Sequence, residues 1–236
     1  MKFISGGYYI VTPEERVDYM DKNVIPQTIL SLSECICDFH PEINVIWGGS
    51  TDKKNKYIQR LDISRNTYER LEKWIDEKFD AGAFAYPQVF TSVEVAREFA
   101  DKFLSGISNV HIIGIGLPEA HLRDFYEYEN LEGPKEEQNG VEKLITSGSM
   151  VEQKKSRFLG YEVLGYESGG FHSYLCNGLE KDFNQHFHFS LNNNGFIDSL
   201  EEANRYCKYS NQQEIGTEPV NWFPWAVFEY ENILMH

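Results

Sequence analysis

The chain has 236 residues, 41 % of them hydrophobic and 14 % aromatic, with 37 acids against 22 lysines and arginines. That content supplies a full core and excludes a disordered chain, and the lack of any eighteen-residue apolar run excludes a membrane-spanning helix. The formal charge of −15 argues against nucleic acid as a ligand, since such a field repels phosphates; it would attract a basic protein, while an acidic surface that merely keeps the chain in solution explains the same number.

The first twenty residues lack the apolar stretch and small-residue cleavage site of a signal peptide, which points to a cytoplasmic protein. FISGGYYIV (3–11) reads as a strand interrupted by glycines, and Thr12-Pro13-Glu14-Glu15 offers the cap, proline and returning glutamate of a helix start. Two or three strands are expected in 28–49, with FHPE (39–42) as a turn between SECICD and INVIWG. The clearest helix is 63–82, with Tyr68, Leu71, Trp74, Ile75, Lys78 and Phe79 in one stripe between Ser64 and Gly82. A capping box at 91–94 opens a second helix through Leu104, and NVHIIGIGL (109–117) follows as a strand apolar on both faces.

From Glu127 to Lys155 the chain turns polar and acidic, with one short helix expected in VEKLITSGSMVEQKK. This divides it into an N-terminal α+β part (1–130), a linker or exposed loop (131–156) and a C-terminal α+β part (157–236), with one continuous domain as the alternative. RFLGYEVLGYES (157–168) reads as a strand, 171–183 as a helix, and 186–199 as a strand edge and loop turning at Asn194-Gly195. Ser199 to Glu202 caps a further helix. NWFPWAVFEY (221–230) closes as a strand in which Pro224 requires an edge, a bulge or a break. Helices and strands mix without regular alternation, so the expected fold is α+β, with a mixed, largely antiparallel sheet packed with several amphipathic helices.

The sequence holds no GxGxxG, GxxxxGK[ST], HExxH or GxSxG, which leans the reading away from an enzyme with any assigned catalytic residue. On a helix from Phe171, His172 and Cys176 are i and i+4, and on a strand His186 and His188 project to one side. These four supply nitrogen and sulfur donors suited to zinc, although their spacing matches no standard module. The same residues admit a Cys176 nucleophile with His172 as base, but Glu167, Glu180 and Asp182 would oppose a thiolate. Ser168-Gly169-Gly170 reads as a strand-to-helix turn rather than an anion cradle. The carboxylate pairs Asp76/Glu77, Glu136/Glu137 and Glu201/Glu202 read as solvated. Cys35 and Cys37 share a strand face and, like Cys207, read as buried hydrophobes outside any disulfide.

The aromatic run 222–230 admits two readings: core packing, or an edge strand whose outward rings anchor a partner. In the second, Trp222, Trp225, Tyr230 and Glu229 form the binding set. At FHSYLCNGLEKDF, LNNNGFIDSLEEANRY and EPVNWFPWAVFEY the chain resembles uncharacterised cytoplasmic proteins of Bacillus-like bacteria, from Phe158 onward. Some acidic proteins of that type serve as immunity partners of polymorphic toxins. The resemblance implies a cofactor-free binding protein that neutralises a basic toxin and carries no site residues over. The competing expectation is a small metal-dependent or Cys/His hydrolase centred on His172, Cys176, His186 and His188.

Overall fold

A computed structural model describes residues 1–33, 35–36, 50–131, 139–167, 169–212 and 218–231. Nine strands are defined there: β1 (Phe3–Val11), β2 (Glu14–Glu15), β3 (Thr28–Ile29), β4 (Phe84–Ala85), β5 (Val89–Phe90), β6 (His111–Pro118), β7 (Ser156–Glu167), β8 (Gly170–Ser173) and β9 (Trp222–Tyr230). Seven helices accompany them: α1 (Thr51–Leu61), α2 (Arg65–Asp80), α3 (Val93–Phe103), α4 (Leu122–Tyr128), α5 (Gly140–Ser147), α6 (Leu179–His186) and α7 (Leu200–Ser210). The fold is α+β, as its sequence pattern indicates. Seven strands form one antiparallel sheet in the order β4-β5-β1-β6-β9-β7-β8, and β2 pairs with β3 apart from it. Strands β6 and β9, from either side of residues 131–156, are hydrogen-bonded neighbours, and α5 lies within that segment.

The sheet curls until its edges approach each other. A Cβ placed on Gly169, in the β7–β8 turn, would lie 2.9 Å from Pro87 Cδ beside the opposite edge. Helices cover both faces, so alternate residues of the central strands enter two separate cores. Ile4, Tyr9, Ile113, Ile115, Trp225 and Val227 face the core closed by α4 and α5. Tyr8, Ile10, Ile112, Phe228 and Tyr230 face the one covered by α1, α2, α3, α6 and α7. Because neither face meets water, these strands read as continuous apolar runs even though the sheet is antiparallel.

Local chemistry explains most element boundaries. Ser64 caps α2 by accepting from the Thr67 amide at 3.1 Å, and Ser199 caps α7 while donating to Glu202 Oε2 at 3.0 Å. In the 91–94 motif the cap is Ser92 rather than Thr91, and Thr91 donates to the Ala83 carbonyl instead. Phe79, expected in the buried stripe of α2, is 38 % exposed. Pro224 is accommodated because β6 pairs with β9 only as far as Gly116↔Ala226, so residue 224 has β7 on one side and no β6 partner on the other.

Three local expectations are corrected. Thr12-Pro13-Glu14-Glu15 starts no helix: Glu14 and Glu15 pair with Ile29 and Thr28, and Arg16 donates to the Ile25 carbonyl at 2.6 Å. Residues 171–183 are not one helix. Phe171 and His172 pair with Tyr166 and Gly165 in β8, residues 174–177 make a 3₁₀ turn capped by Ser173, and left-handed Gly178 separates that turn from α6. Gly169 and Gly170 therefore serve a strand-to-strand hairpin. His186 ends α6 rather than sitting in a strand with His188. The FHPE turn, Cys37, INVIWG and Glu136/Glu137 lie outside the described residues.

Gly160 sits at the bulge where β7 shifts register against β9. Its φ is +134°, and a Cβ there would lie 2.7 Å from Phe196 Cβ and 2.8 Å from the Ile197 carbonyl. Gly160→Ala is expected to cost about 1–3 kcal/mol from backbone strain alone, with the overlap adding to it. The thermal midpoint measures this, and an unchanged midpoint would contradict the bulge geometry.

Candidate functional site

The residues singled out in the sequence do not assemble into a catalytic group. His172 Nε2 lies 3.3 Å from Glu167 Oε2, Cys176 Sγ lies 3.1 Å from Ser33 Oγ, and the His186 ring packs 5.1 Å from that of Tyr209. His188 is exposed on the segment after α6. Among the described residues no three His, Cys, Asp or Glu side chains are grouped so as to hold a metal ion. Burial pushes the Cys176 thiol up to about 12 against the opposing pull of Ser33, so it stays protonated at neutral pH. A nucleophile there would need the thiolate.

The expected surface anchors are also corrected. Trp222, Trp225 and Tyr230 are 1 %, 0 % and 2 % exposed, because each face of β9 is covered by helices. None can touch a partner. Glu229 alone of that set reaches solvent, at the sheet end where β6 and β7 flank β9. It accepts from His111 Nδ1 at 2.5 Å and from Arg157 Nε at 3.0 Å. Burial alone would raise its pKa, but these two partners overrule it and hold the carboxyl below its ordinary value.

A different surface emerges where distant segments meet around residues 218–219. Tyr128, at the end of α4, is 44 % exposed and donates to the Pro219 carbonyl at 3.1 Å. Burial of its hydroxyl, then the charges of Glu129 and Glu167, raise its pKa. Tyr19 is 48 % exposed, and its hydroxyl is raised by burial and then by Cys176, Glu180, Cys35 and Glu218 in turn. Two half-exposed phenol rings are thus linked to residues 218–219, Tyr128 by a hydrogen bond to Pro219 and Tyr19 through the charge of Glu218. Nothing within any single sequence window marks this patch, because its parts come from residues 19, 128–129, 167 and 218–219.

A polar strap positions Tyr19. The Tyr19 carbonyl accepts from Lys181 Nζ at 2.6 Å, the Asp21 amide donates to Glu180 Oε1 at 3.2 Å, and Ser33 meets Cys176. At its far end Ser31 Oγ and the Leu32 amide donate to the two oxygens of Glu162, at 2.5 and 3.3 Å. Glu162 lies inside β7 and is 3 % exposed. Burial drives its pKa up, the bonds from Ser31, Ser173 and Leu32 pull it partly back, and the result is about 7. The carboxylate pairs remain peripheral: Asp76 and Glu77 are exposed on α2, and Glu202 is spent in the α7 capping box. Comparison of the chain with protein-family models, curated proteins and solved structures gave no match.

Proposed function

We propose that this chain is a non-catalytic binding protein of the cytoplasm that captures a basic protein partner, and that it acts as an immunity protein by masking a toxin's active site. The observation that carries the reading is half-exposed Tyr128 beside Glu129 and Glu167, and half-exposed Tyr19 in the field of Glu180 and Glu218, in a chain of formal charge −15. Aromatic rings with polar tips supply contact area at small entropic cost, and tyrosine is enriched at interface hot spots. Surrounding carboxylates steer a cationic partner and match its lysines and arginines, with a salt-dependent association rate. No helix among the described residues is long and apolar enough to cross a membrane, which is compatible with this setting.

The test is retention of a stoichiometric basic protein from the native host at low and at moderate salt, followed by binding kinetics on the purified pair and protection of cells producing that partner. Tyr128→Ala is expected to speed dissociation by roughly tenfold or more, the scale of a hot-spot residue. Glu129→Gln with Glu167→Gln is expected to slow association and flatten its salt dependence. Absence of any basic partner at both salts would overturn the reading.

A further inference from the structure

A cleft of about 730 Å³ lies not at the acidic patch but at the end of the sheet where β6 and β7 begin and β9 ends. One wall is the His111–Glu229–Arg157 group, which also borders a smaller cleft of about 190 Å³ on its other side. The apolar part of its lining is Ile107 and Val110, half-buried, backed by the buried Ala100 and Leu104 at the end of α3. Arg97 and Lys155 also line it.

The charge accounting inside this cleft differs from that of the chain. Both oxygens of Glu229 are occupied, one by His111 and the other by Arg157, so its negative charge is already answered. Arg97 spends its Nε on the Glu231 carbonyl at 3.2 Å, and among the described residues its terminal guanidinium nitrogens have no acceptor. Lys155 forms no ion pair among the described residues, and its φ of +58° is one few non-glycine residues adopt. Asp101 and Glu231 are the opposing acids of the lining. Distant carboxylates matter little, because charges beyond roughly 8 Å are screened at physiological salt.

We propose that this cleft binds a small organic anion, its charged group held by Arg97 and Lys155 and its apolar body laid on Ile107 and Val110. A concave site with an apolar floor and a few convergent polar groups is the common form of a small-molecule pocket, and guanidinium and ammonium groups are the usual holders of carboxylate and phosphate. The assignment is independent of the partner-binding patch.

Benzoate, phenyl phosphate and benzylamine serve as probes, titrated into the full chain while backbone amide shifts are followed. Either aromatic anion is expected to saturate, with shifts concentrated at residues 97–111 and 155–157, while benzylamine leaves them unmoved. Arg97→Gln and Lys155→Gln should each weaken anion binding by roughly tenfold, the loss of a charge-assisted contact. Asp101→Asn, which deletes an opposing acid one helical turn from Arg97, should tighten it. Lys155 is exposed and Arg97 partly so, and wild-type melting temperatures certify the variants. No saturable binding of either anion, equal response to benzylamine, or affinity unchanged in both cation variants would overturn the proposal.

Discussion

Trp225→Ala is expected to lower the stability of the folded chain by about 3–5 kcal/mol, the range for truncating a large buried aromatic. The indole is fully buried, with ring centroids 5.2 Å from Phe171 and 5.8 Å from Phe125. Gly6 leaves it room: a Cβ at that position would lie 2.6 Å from Trp225 Cζ3. This ring therefore joins β1, β8, β9 and α4, and its loss opens a cavity that the curled sheet can close only by shifting those elements. Against a total of about 5–15 kcal/mol for a typical domain, the cost is severe. Urea titration should show a lower midpoint with an unchanged slope. Trp225→Phe should cost less than its lost volume implies, because Trp225 Nε1 is buried with no hydrogen-bond partner among the described residues and phenylalanine removes that donor. The surviving folded fraction should hold a partner with wild-type affinity, since Trp225 reaches no surface. An unchanged midpoint in Trp225→Ala would refute this account of the core.

The burial of Trp225 and Trp222 together shows where pattern reading succeeded and where it stopped. Residues 222–228 contain no charged side chain, so β9 could have been read as buried on both faces, as 109–117 was. Period-two alternation assigns a strand but does not say whether its second face is covered; α7 and the other helices of the second core decide that. Caps were legible because they are local: Ser64 and Ser199 each accept from an amide three residues on. The Thr12-Pro13-Glu14-Glu15 motif misled because a cap works only when an amphipathic run follows, and RVDYMDKN supplies none. Phe171, Tyr174, Leu175 and Leu179 imitate a helical stripe, yet strand pairing with Tyr166 claims Phe171, and left-handed Gly178 breaks the remainder. The site was least legible. Glu229 meets Arg157 and His111 across 72 and 118 residues of sequence, which only strand register brings together.

Glu162→Gln should abolish a loss of stability that the native chain suffers as pH rises through neutrality. The native carboxyl has a pKa near 7, against an ordinary value of 4.5, so between those limits the folded state holds a proton that the unfolded chain has released. Folding is then favoured below pH 4.5, and the advantage drains away as pH climbs through 7. A shift of this size is about 3 kcal/mol at 1.36 kcal/mol per unit, and the group's burial leaves little solvent to screen it. Glutamine keeps the shape and can donate to Ser31 Oγ while accepting from the Leu32 amide, so the strap stays fastened without a titrating group. The stability difference, variant minus native, should therefore grow by about 3 kcal/mol between pH 4.5 and pH 8. Subtraction matters because Glu180, also raised by burial, slopes the same way in both proteins. Glu98, held near 2 by Lys102, Lys78 and Trp74 against its burial, acts only under strongly acid conditions. Tyr19 rides on the same strap, so above pH 7 the native protein should also lose partner affinity while Glu162→Gln keeps it. A difference that stays flat across this range would show that Glu162 is not the buried proton holder its surroundings make it.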